Sequence, residues 1–414
     1  MTTTSSRSSI PTTAPADAWP GLDRVPTGPR TAVSAAVARR LFLAALGRLP
    51  VTVHLEVAAS VGLGGPVMTV HRPDELFARL GRDGLIGFGE AYLTGAWDAE
   101  DLTAFLTVLA ADVSTLVPAP LQKLRRLVLR GRPRAHRTTK DHTRELIAHH
   151  YDLSNDLFRL FLDESLTYSS AWFDGDQQGD LHAAQLRKID RLLDSAGVGP
   201  GTRVLEIGTG WGELALRAAA RGATVTSVTL SEEQLVLARE RIAAAGLADR
   251  VSVELCDYRR AQGSYDAVVS VEMIEAVGHE YLPSYFQTIH DRLAPGGRAG
   301  IQAIVMPHDR MVATLGTHTW VHKYIFPGGF LPSTVLLDEV SRAAGLRTMG
   351  TRALGLHYAE TLRLWDETFM DLEVGALGFD EVFRRMWHFY LCYSRAGFAS
   401  GYLDVVQLDY LRPR

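Results

Sequence analysis

Cysteine is scarce. Only Cys256 and Cys392 occur in 414 residues, both within apolar segments and far apart, which excludes a disulfide framework or a Cys-rich zinc module and suits a reducing cytoplasm. An excess of one charge is also missing: 43 Lys and Arg against 47 Asp and Glu leave a net charge of −4. The mean field therefore does not draw nucleic acid, and any electrostatic partner must meet a local patch. Long hydrophobic runs are absent too. Stretches such as Leu41 to Leu46 fall far short of the roughly 20 residues that cross a bilayer, so lipid would be met from the surface. Met1 to Thr13 is mostly Ser and Thr and lacks the basic, apolar and small-residue order of a secretory signal, so no export is expected. Nor is there an internal repeat or heptad. His136, His142, His149 and His150 show no metal-ligand spacing, and no metal is expected.

What is present is ordinary globular material, 46% hydrophobic and 22% charged, long enough for two or three domains. Residues 1–30, rich in Ser, Thr, Pro and Ala, read as a disordered tail, because such a composition cannot offset the entropy of ordering. Residues 31–115 read as a small α+β domain, with strands at Val51–Glu56 and Val67–His71 and helices at Asp74–Leu80 and Asp101–Asp112. Residues 116–144 form a basic linker; from Leu121 to Arg144 nine Lys or Arg stand against one Asp. Leu and Val alternate there with Lys and Arg at near-helical spacing, which suits an anionic bilayer surface, although a solvated linker is the plainer reading.

Residues 145–414 form the main domain. Strand-like segments at Arg203–Ile207, Thr224–Thr229, Val251–Cys256, Ala267–Val271 and Arg298–Ile304 alternate with helical ones at Leu214–Ala220 and Glu232–Ala245. Such alternation builds a doubly wound, Rossmann-like α/β sheet. A weakly periodic section to residue 330, with Trp320, Tyr324, Phe326 and Phe330, reads as a helical lid whose aromatics serve either the core or an acyl-chain channel.

The strongest local signal is Val204-Leu-Glu-Ile-Gly208-Thr-Gly210-Trp-Gly212, a strand entering a glycine turn and then a helix. Gly208, Gly210 and Gly212 let a ligand approach the backbone. The spacing departs from G-x-G-x-x-G, which argues against a dinucleotide. Glu206 instead suits the ammonium end of S-adenosylmethionine. The second strand ends in Thr229-Leu230-Ser231, with Gln234 one turn later, so neutral groups meet the ribose hydroxyls. Asp257 and Tyr258, after the third strand, are placed beside the adenine.

Six segments agree in order with one family: Tyr151–Phe173, Val204–Ala215, Thr229–Gln234, Ser270–Gly278, Tyr324–Ser333 and His357–Trp365. Over about residues 145–400 the chain resembles the cyclopropane-fatty-acid synthases, class I S-adenosylmethionine-dependent methyltransferases. Residues before the basic linker resemble the small N-terminal domain of the phospholipid-modifying members.

The resemblance implies methyl transfer to the cis double bond of an acyl chain in a membrane phospholipid, giving a cyclopropane. The same transfer followed by a hydride shift gives a methylene chain, the precursor of 10-methyl acids when a separate reductase follows. A small-molecule methyltransferase and a catalytically silent lipid-binding protein are the alternatives from other classes. The resemblance also places Tyr168 and Ser169 at the methionine end of the cofactor and implies bicarbonate as the base. Its ligands fall on Ser170, Glu275, Gln302, Ile304 and Tyr358. Ser170 and Gln302 depart from the family's cysteine and histidine. Outside the resemblance, Glu275 reads as a helix cap and Tyr358 as a core tyrosine. Expected partners are an anionic phospholipid surface at the inner membrane face and a downstream reductase, with no nucleic acid; an oligomer stays open.

Overall fold

A computed structural model describes residues 18–56, 59–112, 155–175 and 179–414. The basic linker and the first seventeen residues lie outside them. The chain forms two compact units that are discontinuous in sequence.

The first unit comprises the described residues up to Asp112 with His318–Trp320 and Met370–Ser400. Helix α1 (Pro29–Leu46) precedes strands β1 (Thr52–Glu56), β2 (Ala59–Val61) and β3 (Val67–Val70), helices α2 (Pro73–Asp83) and α3 (Leu85–Leu93), strand β4 (Trp97–Ala99) and helix α4 (Leu102–Ala111). The strands form one sheet in the order β2-β1-β3-β4. The helix Glu381–Ala399 belongs here, although it lies far along the chain. Its Arg385 donates to the carbonyl of Tyr92 (2.7 Å) and to Asp98 (2.6 Å) and stacks on the Tyr92 ring.

Part of the expected tail is ordered. Trp19 donates to Asp380 (2.7 Å), Leu22 is buried, and the buried Arg79 guanidinium donates to the carbonyls of Gly21, Leu22 and Arg24. Two large apolar side chains, and three carbonyls that accept from an Arg79 guanidinium whose charge is paired with Glu75 (2.9 Å), supply what the composition lacks, so this part of the tail packs rather than remains disordered.

The second unit holds the alternating pattern. Helices α5 (Asn155–Phe161) and α6 (Leu181–Ser195) lead into β5 (Arg203–Ile207), α7 (Glu213–Ala220), β6 (Thr224–Thr229), α8 (Glu232–Ala244), β7 (Val251–Leu255), β8 (Tyr265–Val271), α9 (Leu282–Arg292) and β9 (Leu293–Val305). Then follow α10 (His308–Thr314), α11 (Trp320–Tyr324), α12 (Thr334–Ala343), β10 (Arg347–Ala353), α13 (Gly355–Met370) and, after the Glu381–Ala399 helix α14, the final β11 (Asp404–Leu411). Trp320 of α11 counts with the first unit.

Its seven strands run in the order β10-β11-β9-β8-β5-β6-β7. Strands β5 to β9 pair in parallel, and β11 lies antiparallel between β9 and β10. Strand β5 is buried from Val204 to Ile207, as expected where helices cover both faces of a parallel sheet. Beyond β5 the order reverses, with β6 on one side and β8 on the other. Open α/β sheets bind ligands at this switch point, outside the strands' carboxyl ends.

Candidate functional site

A cleft opens at the ends of β5, β6 and β8. Its wall includes Tyr168, Ser169, Glu206, Gly208, Gly210, Thr229, Leu230, Gln234 and Tyr258 from the expected set. Glu206 is 2% exposed and its Oε2 accepts from Ser227 Oγ (2.5 Å), which in turn meets Thr209 Oγ1 (2.7 Å). Burial pushes its carboxyl up to about 8, against the pull of that hydrogen bond. A ligand ammonium would supply the missing positive charge.

The three glycines differ in role. All have positive φ, but a Cβ on Gly210 (φ +52) would meet nothing within 4 Å, so its face is open to a ligand. A Cβ on Gly212 would press on Ala238 at 3.2 Å. Gly212 therefore permits the approach of α7 to α8 and is absent from the cleft wall. Asp257 is absent from the wall as well. Its carboxylate caps the following turn and pairs with Arg259, which lowers its pKa although burial opposes. Cys256 and Tyr258 line the cleft in its place.

Thr229 Oγ1 donates to Gln234 Oε1 (3.1 Å), and Ser231 caps α8 by accepting from the Gln234 N–H (3.2 Å). The sequence thus holds the groups expected at the ribose by local capping chemistry. Tyr168 stacks on Trp365 with centroids 5.1 Å apart. Ser169 Oγ accepts from Lys188 Nζ (2.5 Å). This donor set, with an ammonium-seeking carboxylate and an open glycine face, fits S-adenosylmethionine.

The expected catalytic residues come together around a residue that sequence reasoning passed over, Glu272. Its Oε1 accepts from the Ser170 N–H (2.9 Å) and from Gln302 Nε2 (2.8 Å), and the Tyr358 hydroxyl donates to it as well. Glu275 Oε1 accepts from the Ile304 N–H (2.5 Å). Of these residues Glu272 lines the cleft. Its φ is +48, and Leu166, also on the wall, has φ +55. Left-handed backbone at a non-glycine residue costs about 1–3 kcal/mol and gathers at functional sites.

Burial raises the pKa of both carboxyl groups, with different opposing causes. Burial first, and the Glu272 charge second, push Glu275 up to about 8. Glu272 is also raised by burial, but Lys188, Gln302, Ser170 and Tyr358 all favour its charged form. Lys188 is itself fully buried and pushed down to about 8 by desolvation, opposed by Glu272 and Asp163. Both residues left traces in the sequence: Glu272 sits three positions before Glu275, and Lys188 lies on the Ala184–Leu192 apolar stripe of α6.

Bicarbonate does not fit this arrangement. The Ser170 hydroxyl donates to the carbonyl of Ala171 (3.0 Å) and its N–H to Glu272. Gln302 offers its amide to Glu272 and its Oε1 to Gln407 (2.9 Å), while the Ile304 N–H is held by Glu275. Among the described residues, Glu275 Oε2 is the one expected ligand atom that is buried without a hydrogen-bond partner. An added anion would meet two carboxyl groups and donors already engaged.

Comparison with known proteins gives the same direction. The family model described as mycolic acid cyclopropane synthetase matches residues 138–408. The chain is 53% identical over 408 residues to the tuberculostearic acid methyltransferase UfaA1 of Mycobacterium tuberculosis, covering 96% of each. It is 33% identical to the cyclopropane-fatty-acyl-phospholipid synthase of Escherichia coli K12, covering 83% of this chain and 87% of that one. Among solved structures, the mycolic acid cyclopropane synthase CmaA1 complexed with SAH and CTAB has a TM-score of 0.60 at 30% identity, covering 68% of this chain and 99% of that one. A sheet with its switch point at the glycine turn, a cleft that fits the cofactor and a match across most of the chain together place it: it belongs to the mycolic acid cyclopropane synthetase family of S-adenosylmethionine-dependent methyltransferases.

Proposed function

We propose that this enzyme methylates the cis double bond of an unsaturated fatty acyl chain in membrane phospholipid and releases a methylene-branched chain, the precursor of a mid-chain methyl-branched acid once a separate reductase acts. The observation that carries this reading is the 53% identity to a tuberculostearic acid methyltransferase across 96% of both chains. Cyclopropane formation is the second reading, favoured by the likeness to the E. coli cyclopropane-fatty-acyl-phospholipid synthase.

Bound S-adenosylmethionine supplies an electrophilic methyl group. Glu206, Ser169, Tyr168, Thr229 and Gln234 hold it, and Gly210 leaves its backbone open to it. An alkene is a weak nucleophile, and methylation leaves positive charge on the acyl chain, so the site must stabilise a cation and keep water away. Glu272, whose charged form Lys188, Gln302, Ser170 and Tyr358 favour, provides the negative field, and the Tyr168–Trp365 stack provides an aromatic face. A base must then take a proton.

No helix among the described residues is long and apolar enough to cross a membrane. Approach to the acyl chain is proposed to occur at the inner bilayer face, through the basic stretch Lys123–Arg144. Expression in a host rich in oleoyl phospholipid, followed by mass and proton NMR analysis of the lipids, tests the reading. Exocyclic methylene signals are expected. Upfield cyclopropane signals would select the second reading, and unmodified lipid would reject both.

A further inference from the structure

We infer that the Glu272 carboxylate is the site's own resident oxyanion, standing where the resemblance calls for bicarbonate, and that it takes the proton released after methyl transfer. The inference rests on the proposed function for its substrate and on geometry for its residue. Three donors converge on this one side chain: the Ser170 N–H, the Gln302 amide and the Tyr358 hydroxyl. Ser170, Gln302 and Tyr358 are the same residues that were expected to hold an external anion.

The surroundings are built for it. Gln302 is fixed by Gln407, its partner across the β9–β11 ladder, whose Nε2 donates to Gln302 Oε1 and so turns the Gln302 amide toward Glu272. The Glu272 N–H donates to the Gln302 carbonyl (2.9 Å), which helps to hold a left-handed backbone that a glutamate would otherwise avoid. Glu272 also reaches the cofactor cleft, whereas Glu275 does not line it. Burial raises both carboxyl groups; at Glu272 the Lys188 ammonium and the three donors oppose that rise, whereas at Glu275 the Glu272 charge adds to it.

In the step, a hydride shift first moves the cation onto the carbon that bears the new methyl; a C–H bond of that methyl then breaks and an O–H bond forms on Glu272. The C–H electron pair becomes the second bond of the methylene group, and the proton passes to water after the product leaves.

Two measurements on the full-length protein test this. In the first, turnover on oleoyl phospholipid vesicles is compared in carbon-dioxide-free buffer with and without added bicarbonate. Wild-type turnover should agree within twofold, and Glu272→Gln should lose about 100-fold or more while retaining S-adenosylmethionine affinity within a few-fold by calorimetry. A wild-type rate that falls tenfold on depletion and returns with bicarbonate, or a Glu272→Gln rate within threefold of wild type, overturns the inference. In the second, carbon-13 bicarbonate is titrated into the protein saturated with S-adenosylhomocysteine and followed by NMR. Wild type should show no bound signal, and Glu272→Gly, which suits the backbone there, should gain one. A bound signal in wild type overturns the inference. This second measurement needs no turnover, so a protein that methylates no lipid refutes the proposed function while the bicarbonate titration still decides whether Glu272 takes the anion's place.

Discussion

Glu206 is a carboxylate kept from water before its ligand arrives. Its folded-state pKa of about 8 lies above the ordinary 4.5, so between those values the folded protein holds a proton that the unfolded chain has released. Stability therefore falls as pH rises through that window. Lys188, lowered from 10.5 to about 8, contributes with the opposite sign, and only between pH 8 and 10.5. Calorimetric melting of the ligand-free protein should thus show Tm decreasing from pH 5 to 8. Glu206→Gln should flatten that slope in part, the remainder belonging to Glu275 and Glu272, which are shifted the same way. A slope identical in wild type and variant would show that Glu206 does not carry this proton.

At the scale of elements, the turn between β5 and α7 divides its labour by where each missing Cβ would point. Gly210 faces open space and Gly212 faces Ala238, both at positive φ. Gly210→Val should leave a folded protein whose S-adenosylmethionine affinity drops at least tenfold by calorimetry, because a branched side chain enters the ligand's path. Gly212→Ala should instead lower stability by about 1–3 kcal/mol in urea unfolding, through left-handed strain and contact with α8, with a smaller change in affinity. The reverse pattern would exchange their roles. The antiparallel β11 has a comparable division: it completes the sheet and, through Gln407, orients the Gln302 amide at the site.

For the whole molecule, the proposed substrate raises the question of how an acidic protein would reach a bilayer. Its net charge of −4 repels an anionic surface, whereas nine basic residues between Leu121 and Arg144 attract one. Each exposed cation near such a surface contributes about 1 kcal/mol, screened over roughly 10 Å at 0.1 M salt. Changing Arg125, Arg126 and Arg130 to Glu should weaken co-sedimentation with anionic vesicles, and wild-type binding should decline with salt. Binding that responds to neither would leave the stretch a linker.

The sequence by itself determined the sheet, the cofactor turn and the family, because these rest on local periodicity, glycine backbone freedom and short motifs that neighbouring residues impose on one another. Thr224–Thr229 appears as a strand with the expected bounds, and Glu206, Gly208 and Gly210 line the cleft at the end of β5. Tertiary structure decided the rest. Asp257 turned to Arg259, a partner two residues away that no strand pattern reveals. Trp19 and Leu22 were ordered by Asp380 and by burial, far from anything the tail's composition could show. Glu272 stands three positions before Glu275, yet nothing in the sequence marks it as the centre of the site, since its three donors arrive from residues 170, 302 and 358. Where a carboxylate ends up depends on long-range donors and on burial, and both are properties of the assembled fold.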